Sequence, residues 1–186
     1  VIHVNPDWRK ILTDNKDLVK WAASRPETDF MTLWDETIDP VWLPHLAKAG
    51  GATHKQVVFA LCAVVRLCLH LVPEGENRPR ITIETTEAWC KGEATEEQVK
   101  ETAGYNPNSR ASRAAYYAAH SAIYASNSAV YASNASAYNA TACALLAGIE
   151  SQLMCSTYRK HLVFERPPSP KRLTVWQRLA MGVDPP

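Results

Sequence analysis

Between Ser109 and Phe164 the chain has no proline and one glycine, Gly148, so nothing in that stretch forbids a helix from continuing. A straight helix of that length would run about 80 Å at ~1.5 Å per residue. A compact domain of 186 residues spans only roughly 40 Å. The stretch must therefore break, kink or project. Gly148 is the predicted break, because a glycine inside a helix costs about 1 kcal/mol relative to alanine. Alanine-rich runs and only seven glycines in the whole chain extend the argument to the fold class, an all-α bundle.

Part of this stretch repeats every seven residues: YAAHSAI, YASNSAV, YASNASA, YNATACA. Tyr117, Tyr124, Tyr131 and Tyr138 form one column, and Leu145 takes the next place. Ile123, Val130, Ala137 and Ala144 form a neighbouring column, and His120, Asn127, Asn134 and Thr141 a polar one. Seven residues fall about 20° short of two helical turns, so each column drifts slowly round the helix. Small residues let other helices approach closely, and each tyrosine brings apolar area plus a hydroxyl that needs a partner. Two readings stand. The helix is a central packing stem, or its polar column faces a cleft or a partner, since buried amides must be hydrogen-bonded.

The rest of the chain reads as shorter helices. KDLVKWAA (16–23) places Leu18, Val19 and Ala22 on one side. PETDFMTLWDE predicts a helix from Pro26 or Glu27, with Phe30, Leu33 and Trp34 inward. Asp39 is the expected cap of PVWLPHLAKA, with Pro40 as its first helical residue and Gly50-Gly51 as its end. Thr53 to Val72 is apolar almost all round and is the expected central helix. After the turn PEGENRPR, RITIETTEAWCKG is read as a helix beginning near Pro79 and ending on Gly92, its inner face formed by Ile81, Thr85, Ala88 and Trp89, with a short strand over the alternating ITIET as the competing reading. Thr95 and Gln98 have the spacing of a capping box for a helix ending near Gly104. Ile149, Leu153, Tyr158 and Leu162 are the expected apolar contacts beyond Gly148. Residues 1–165 thus form one helical domain, with short helices to residue 52 and core helices over 53–165. Residues 166–186 form a proline-rich linker and a short amphipathic helix through Leu173, Trp176, Leu179 and Ala180.

A net charge of +1 argues against a dedicated nucleic-acid binder, which needs a basic face. The chain has no apolar run of 18 residues for a membrane span and no signal-peptide core at its start. Cys62, Cys68, Cys90, Cys143 and Cys155 are odd in number and lie in apolar or alanine-rich contexts, so they are expected to be buried thiols of a cytosolic protein.

Motifs for nucleophilic catalysis, zinc or phosphate loops are absent from the sequence, and no cofactor or metal is expected. Arg66 interrupts an apolar helix and calls for a counter-charge; Glu84 is the expected partner, with Arg80 four residues before it. His70, four residues after Arg66, is expected on the same face. Arg66, His70, Arg80, Glu84, His120, Asn127 and Asn134 are therefore the candidate binding residues, with no catalytic or metal residue among them. Within this set Arg66, Arg80, His120 and Asn127 would suit a small-molecule pocket, and Glu84 with His70 is the one faint acid–base pair.

The segment VPEGENRPR-x-x-IET-x-EAW-x-x-GEAT, followed by an alanine-rich helix with recurring tyrosines, resembles the immunity proteins of bacterial polymorphic toxin systems, of the alanine-rich, all-helical kind. The resemblance covers residues 55–160, and 71–95 is its most specific part. It implies a non-catalytic protein that binds and neutralises a protein toxin, and it carries over no catalytic residue. A toxin or other protein partner is expected on this reading, with neither nucleic acid nor membrane, and a homo-oligomer stays open. Under it the acidic stretch from Glu93 to Glu101 would imitate a toxin's substrate.

Overall fold

The computed structural model describes residues 1–13, 15–104, 112–117 and 139–165. Its helices are α1 (Trp8–Ile11), α2 (Lys16–Ala23), α3 (Phe30–Glu36), α4 (Leu43–Ala49), α5 (His54–Arg66), α6 (Arg78–Lys91) and α7 (Glu96–Ala103). Residues 112–117 (α8) and 139–146 (α9) are helical, and α10 is Ser151–His161. The fold is all-α: among the described residues the only β feature is an isolated parallel bridge between Ile2 and Phe164. The tail 166–186 and most of the tyrosine repeat, including Tyr124, Tyr131, Tyr138, His120, Asn127 and Asn134, lie outside the described residues.

Helix α5 lies at the centre, packed against α4, α6 and α10, with α7 on the far side of α6. Val57, Val58, Ala60, Leu61, Cys62, Val64 and Val65 are buried. Beyond His54 at its start, the strip Lys55, Gln56, Phe59, Ala63 and Arg66 stays at least partly open. Helix α5 stops at Arg66 rather than running to Val72. The Leu67 and Cys68 N–H groups bond carbonyls three residues back, and a 3-10 turn over Leu69–Leu71 follows. Pro73 then holds Val72 extended. The break removes the helical register that would have set His70 on the face of Arg66.

Two starts are later than expected, for one reason: an aspartate caps locally. The Asp29 carboxylate accepts from the Thr32 N–H and the Thr32 hydroxyl, both at 2.9 Å, so α3 begins at Phe30 and Pro26 stays in a turn. Those bonds also lower the Asp29 pKa. Asp39 accepts from the Val41 N–H at 3.0 Å, which makes 40–42 a turn before α4. The expected ends at Gly92 and Gly148 hold. Gly92 has φ 82°, and the Glu93 N–H reaches back to the Ala88 carbonyl at 2.8 Å. Gly148 has φ 99°, and the Ile149 N–H bonds the Ala144 carbonyl at 3.3 Å.

Helix α6 forms as expected but turns a different face inward. Pro79, Thr82, Ile83 and Thr86 are buried, whereas Ile81 is 47% exposed. Burying two threonines is tolerable because each hydroxyl has an acceptor: Thr86 donates to the Thr82 carbonyl at 2.7 Å, and Thr82 to the Thr102 carbonyl of α7 at 2.8 Å. In α10, Met154 and Cys155 take the inward place expected of Leu153, which is exposed, while Ile149, Tyr158 and Leu162 are buried as expected.

The N-terminal third is closed by aromatic rings and two arginines. Phe164 meets Phe30 and Trp34 edge-on at 4.9 and 5.0 Å, beneath the bridge that ties Ile2 to it. Arg9 donates to the carbonyls of Ala22, Arg25 and Thr28, at the end of α2 and in the turn after it. Arg159 donates to the carbonyls of Trp34 and Thr37 at the end of α3. Both cations sit where carbonyls lack helical partners.

Candidate functional site

The open strip of α5 faces α6, and each end of it has its own chemistry. At one end Arg66 forks onto Glu87, Nε to Oε1 at 2.7 Å and a terminal nitrogen to Oε2 at 2.8 Å. Glu87, rather than the expected Glu84, is the partner. Glu87 lies three residues, nearly one turn, further along α6 and reaches α5, whereas Glu84 is exposed and acts on Arg66 only through space. The bidentate bond to Glu87 is the main cause of the raised Arg66 pKa. The pair is a clamp between α5 and α6.

The other expected residues do not join it. His70 is exposed on the 3-10 turn, and Glu84 and His70 line neither hollow described here. Arg80 lines a separate hollow of about 170 Å³ under the loop from Val72 to Asn77. In that loop Arg78 pairs with Glu76 and pulls its carboxyl down to about 2. Of the polar column of the repeat, Thr141 is the described member. It is buried, and its hydroxyl bonds the Tyr158 hydroxyl at 2.7 Å. Burial raises the Tyr158 pKa. At this position the column packs inward, as in the packing-stem reading.

At the other end of the strip is a hollow of about 230 Å³, lined by Lys55, Gln56 and Phe59 of α5, Cys90 and Lys91 of α6, and His161 of α10. The Lys55 ammonium lies 5.0 Å from the Trp89 ring centre and that of Lys91 5.8 Å from Phe59. His161 meets Phe59 edge-on at 5.8 Å. Neither lysine is ion-paired with a described carboxylate. Burial pushes the Cys90 thiol up to about 12, against the pull of Lys55. Sequence reasoning missed this group because its members come from three helices. The one local signal was Phe59, an aromatic on the side of α5 that also carries Lys55 and Arg66.

A third surface is α7. The Thr95 hydroxyl accepts from the Gln98 N–H, and the Gln98 side chain accepts from the Thr95 N–H at 2.8 Å, so the expected capping box is present. Val99 and Ala103 face inward against α6. Glu97 and Glu101 stand opposite them, exposed and one turn apart, with Glu93 just before the helix. Glu96 is bound to Lys100 at 2.6 Å, whereas Glu93, Glu97 and Glu101 make no ion pair among the described residues.

Comparison with known proteins returns no match to a protein family, to a curated protein or to a solved structure. Among the described residues no helix is long and apolar enough to cross a membrane, and no group of three or more His, Cys, Asp or Glu side chains is placed to hold a metal ion.

Proposed function

We propose that this chain is a non-catalytic, immunity-type inhibitor that binds and neutralises a protein toxin. The observation that supports the reading is the outer face of α7, where Glu97 and Glu101 project from a capped helix and make no ion pair among the described residues. Carboxylates held this way attract a basic surface, and the active face of an enzyme that handles nucleic acid is basic. Charge complementarity of this kind acts mainly through the association rate. The test is association with the proteins encoded beside this gene, screened for toxicity, measured for the native chain and for the double variant Glu97→Lys, Glu101→Lys. The native chain is expected to bind and to abolish toxicity. The variant is expected to keep its fold while its association rate falls about tenfold or more, with a weaker dependence on salt. A native chain that neither binds nor protects, or a variant that matches it, overturns the reading.

The second reading, a small-molecule-sequestering protein, named four contacts that the described residues do not bring together. Arg66 is committed to Glu87, Arg80 lies in a different hollow, and His120 and Asn127 lie outside the described residues. What favours small-molecule binding instead is the hollow around Phe59. The least favoured reading, an enzyme using Glu84 and His70, draws no support from their placement, both being exposed outside the two hollows.

A further inference from the structure

Independently of any toxin, we infer that the hollow between α5, α6 and α10 is a binding site for a small anion carrying one aromatic ring, an aryl phosphate or aryl carboxylate. Its charge selects an anion. Lys55 comes from the first turn of α5 and Lys91 from the last turn of α6, and His161 adds a third basic side chain. Among the described residues no carboxylate lines the hollow, in a chain whose net charge is only +1. Its floor selects a ring. Phe59 and the un-ionised Cys90 thiol supply an apolar surface, and Phe59 already meets His161 edge-on, the geometry aromatic rings prefer.

Its extent suits a small ligand, and it opens to solvent between the exposed side chains of Lys55, Lys91 and His161. About 230 Å³ is below the ~300 Å³ at which drug-sized pockets begin. It matches roughly eight waters at ~30 Å³ each, which leaves room for one six-membered ring and a compact charged group. The walls are held in place beforehand. The Arg66–Glu87 fork joins α5 to α6, and Arg159 ties α10 to the end of α3. A purely structural account is that each lysine lays its stem over a neighbouring ring to shelter apolar surface. That account predicts that the methionine variants keep the surface covered and that no anion is recognised.

The experiment titrates phenyl phosphate into the full chain, followed by NMR and calorimetry, with inorganic phosphate and phenol as separate probes. Phenyl phosphate is expected to shift the resonances of Lys55, Phe59, Lys91 and His161 in a saturable way, with an affinity in the millimolar range or better. Inorganic phosphate and phenol are each expected to bind at least about tenfold more weakly. The pair Lys55→Met, Lys91→Met is expected to leave the thermal midpoint unchanged and weaken phenyl phosphate at least about tenfold, while Lys55→Arg, Lys91→Arg retains it. Absence of saturable shifts, full binding by the methionine pair, or equal affinity for inorganic phosphate overturns the assignment.

Discussion

Gly50 closes α4 with an ordinary helical backbone, φ −69°, so its role is steric rather than conformational. A methyl group there would collide with the Phe30 ring and come within 2.9 Å of Phe164 Cε1. Gly50→Ala is therefore expected to destabilise the fold by about 1–3 kcal/mol through overpacking, read from the urea midpoint. Glu87→Gln is expected to cost about 1 kcal/mol, kept small because Arg66 is partly exposed and the pair is screened by solvent. The thiols supply another check. Burial raises the pKa of Cys62, and it brings Cys68 and Cys155 to about 11 and Cys90 to about 12. These four are expected to alkylate slowly at pH 8 in the native chain, because the thiolate is the nucleophile, and rapidly after unfolding. Glu76 titrates at about 2 beside Arg78, below its ordinary value. A lowered carboxylate pKa contributes stability that is full above the unfolded pKa and is lost as pH falls towards 2. Glu76→Gln is accordingly expected to flatten the acid side of the stability curve in that window and leave pH 7 to 9 unaltered in slope.

At the scale of elements, the short helices depend on their ends. Helix α7 has 8 residues, and a helix so short is marginal in water without caps or packing. Thr95→Ala is expected to remove about 1 kcal/mol, and hydrogen exchange is expected to quicken in α7 well before α5. Thr53→Ala removes the matching box of α5, but there the loss is shared with a helix buried on three sides, so the exchange pattern of α5 should change little. The box at Thr95 was legible because it is written within four residues, whereas the Asp29 cap of α3 went unread and Asp39 proved to close a turn before α4 instead of capping it. The inner face of α6 was misplaced by about one residue: Ile81 and Thr85 were read as inward, but their neighbours Thr82, Ile83 and Thr86 are the buried ones. Thr82 and Thr86 are buried only because carbonyls of α7 and of α6 itself accept from them.

At the scale of the molecule, distant segments are joined by groups that look unremarkable in the sequence. Arg159 reaches carbonyls more than a hundred positions earlier, and Phe164 packs into the ring cluster of α1 and α3 beneath the bridge to Ile2. Arg159→Met is expected to cost about 1.5–3 kcal/mol, because the carbonyls of Trp34 and Thr37 lose a charged donor while the stem keeps its packing. Phe164→Ala is expected to cost about 3–5 kcal/mol as a cavity opens among Phe30, Trp34 and Gly50. Denaturant unfolding of each variant measures both.

What the sequence determined by itself is what short-range chemistry controls. The all-α class, the box at Thr95, the glycine ends at Gly92 and Gly148 and the central place of α5 follow from helix propensity, cap hydrogen bonds and apolar periodicity, all of which act within a few turns. Tertiary structure alone decided which carboxylate meets Arg66, because Glu84 and Glu87 are the same residue type and differ in their height along α6 and their angle round it. It also decided that Lys55, Phe59, Lys91 and His161 share one hollow. Such a meeting depends on how three helices are rotated about their own axes, and that rotation is set by the packing of buried side chains elsewhere on each helix.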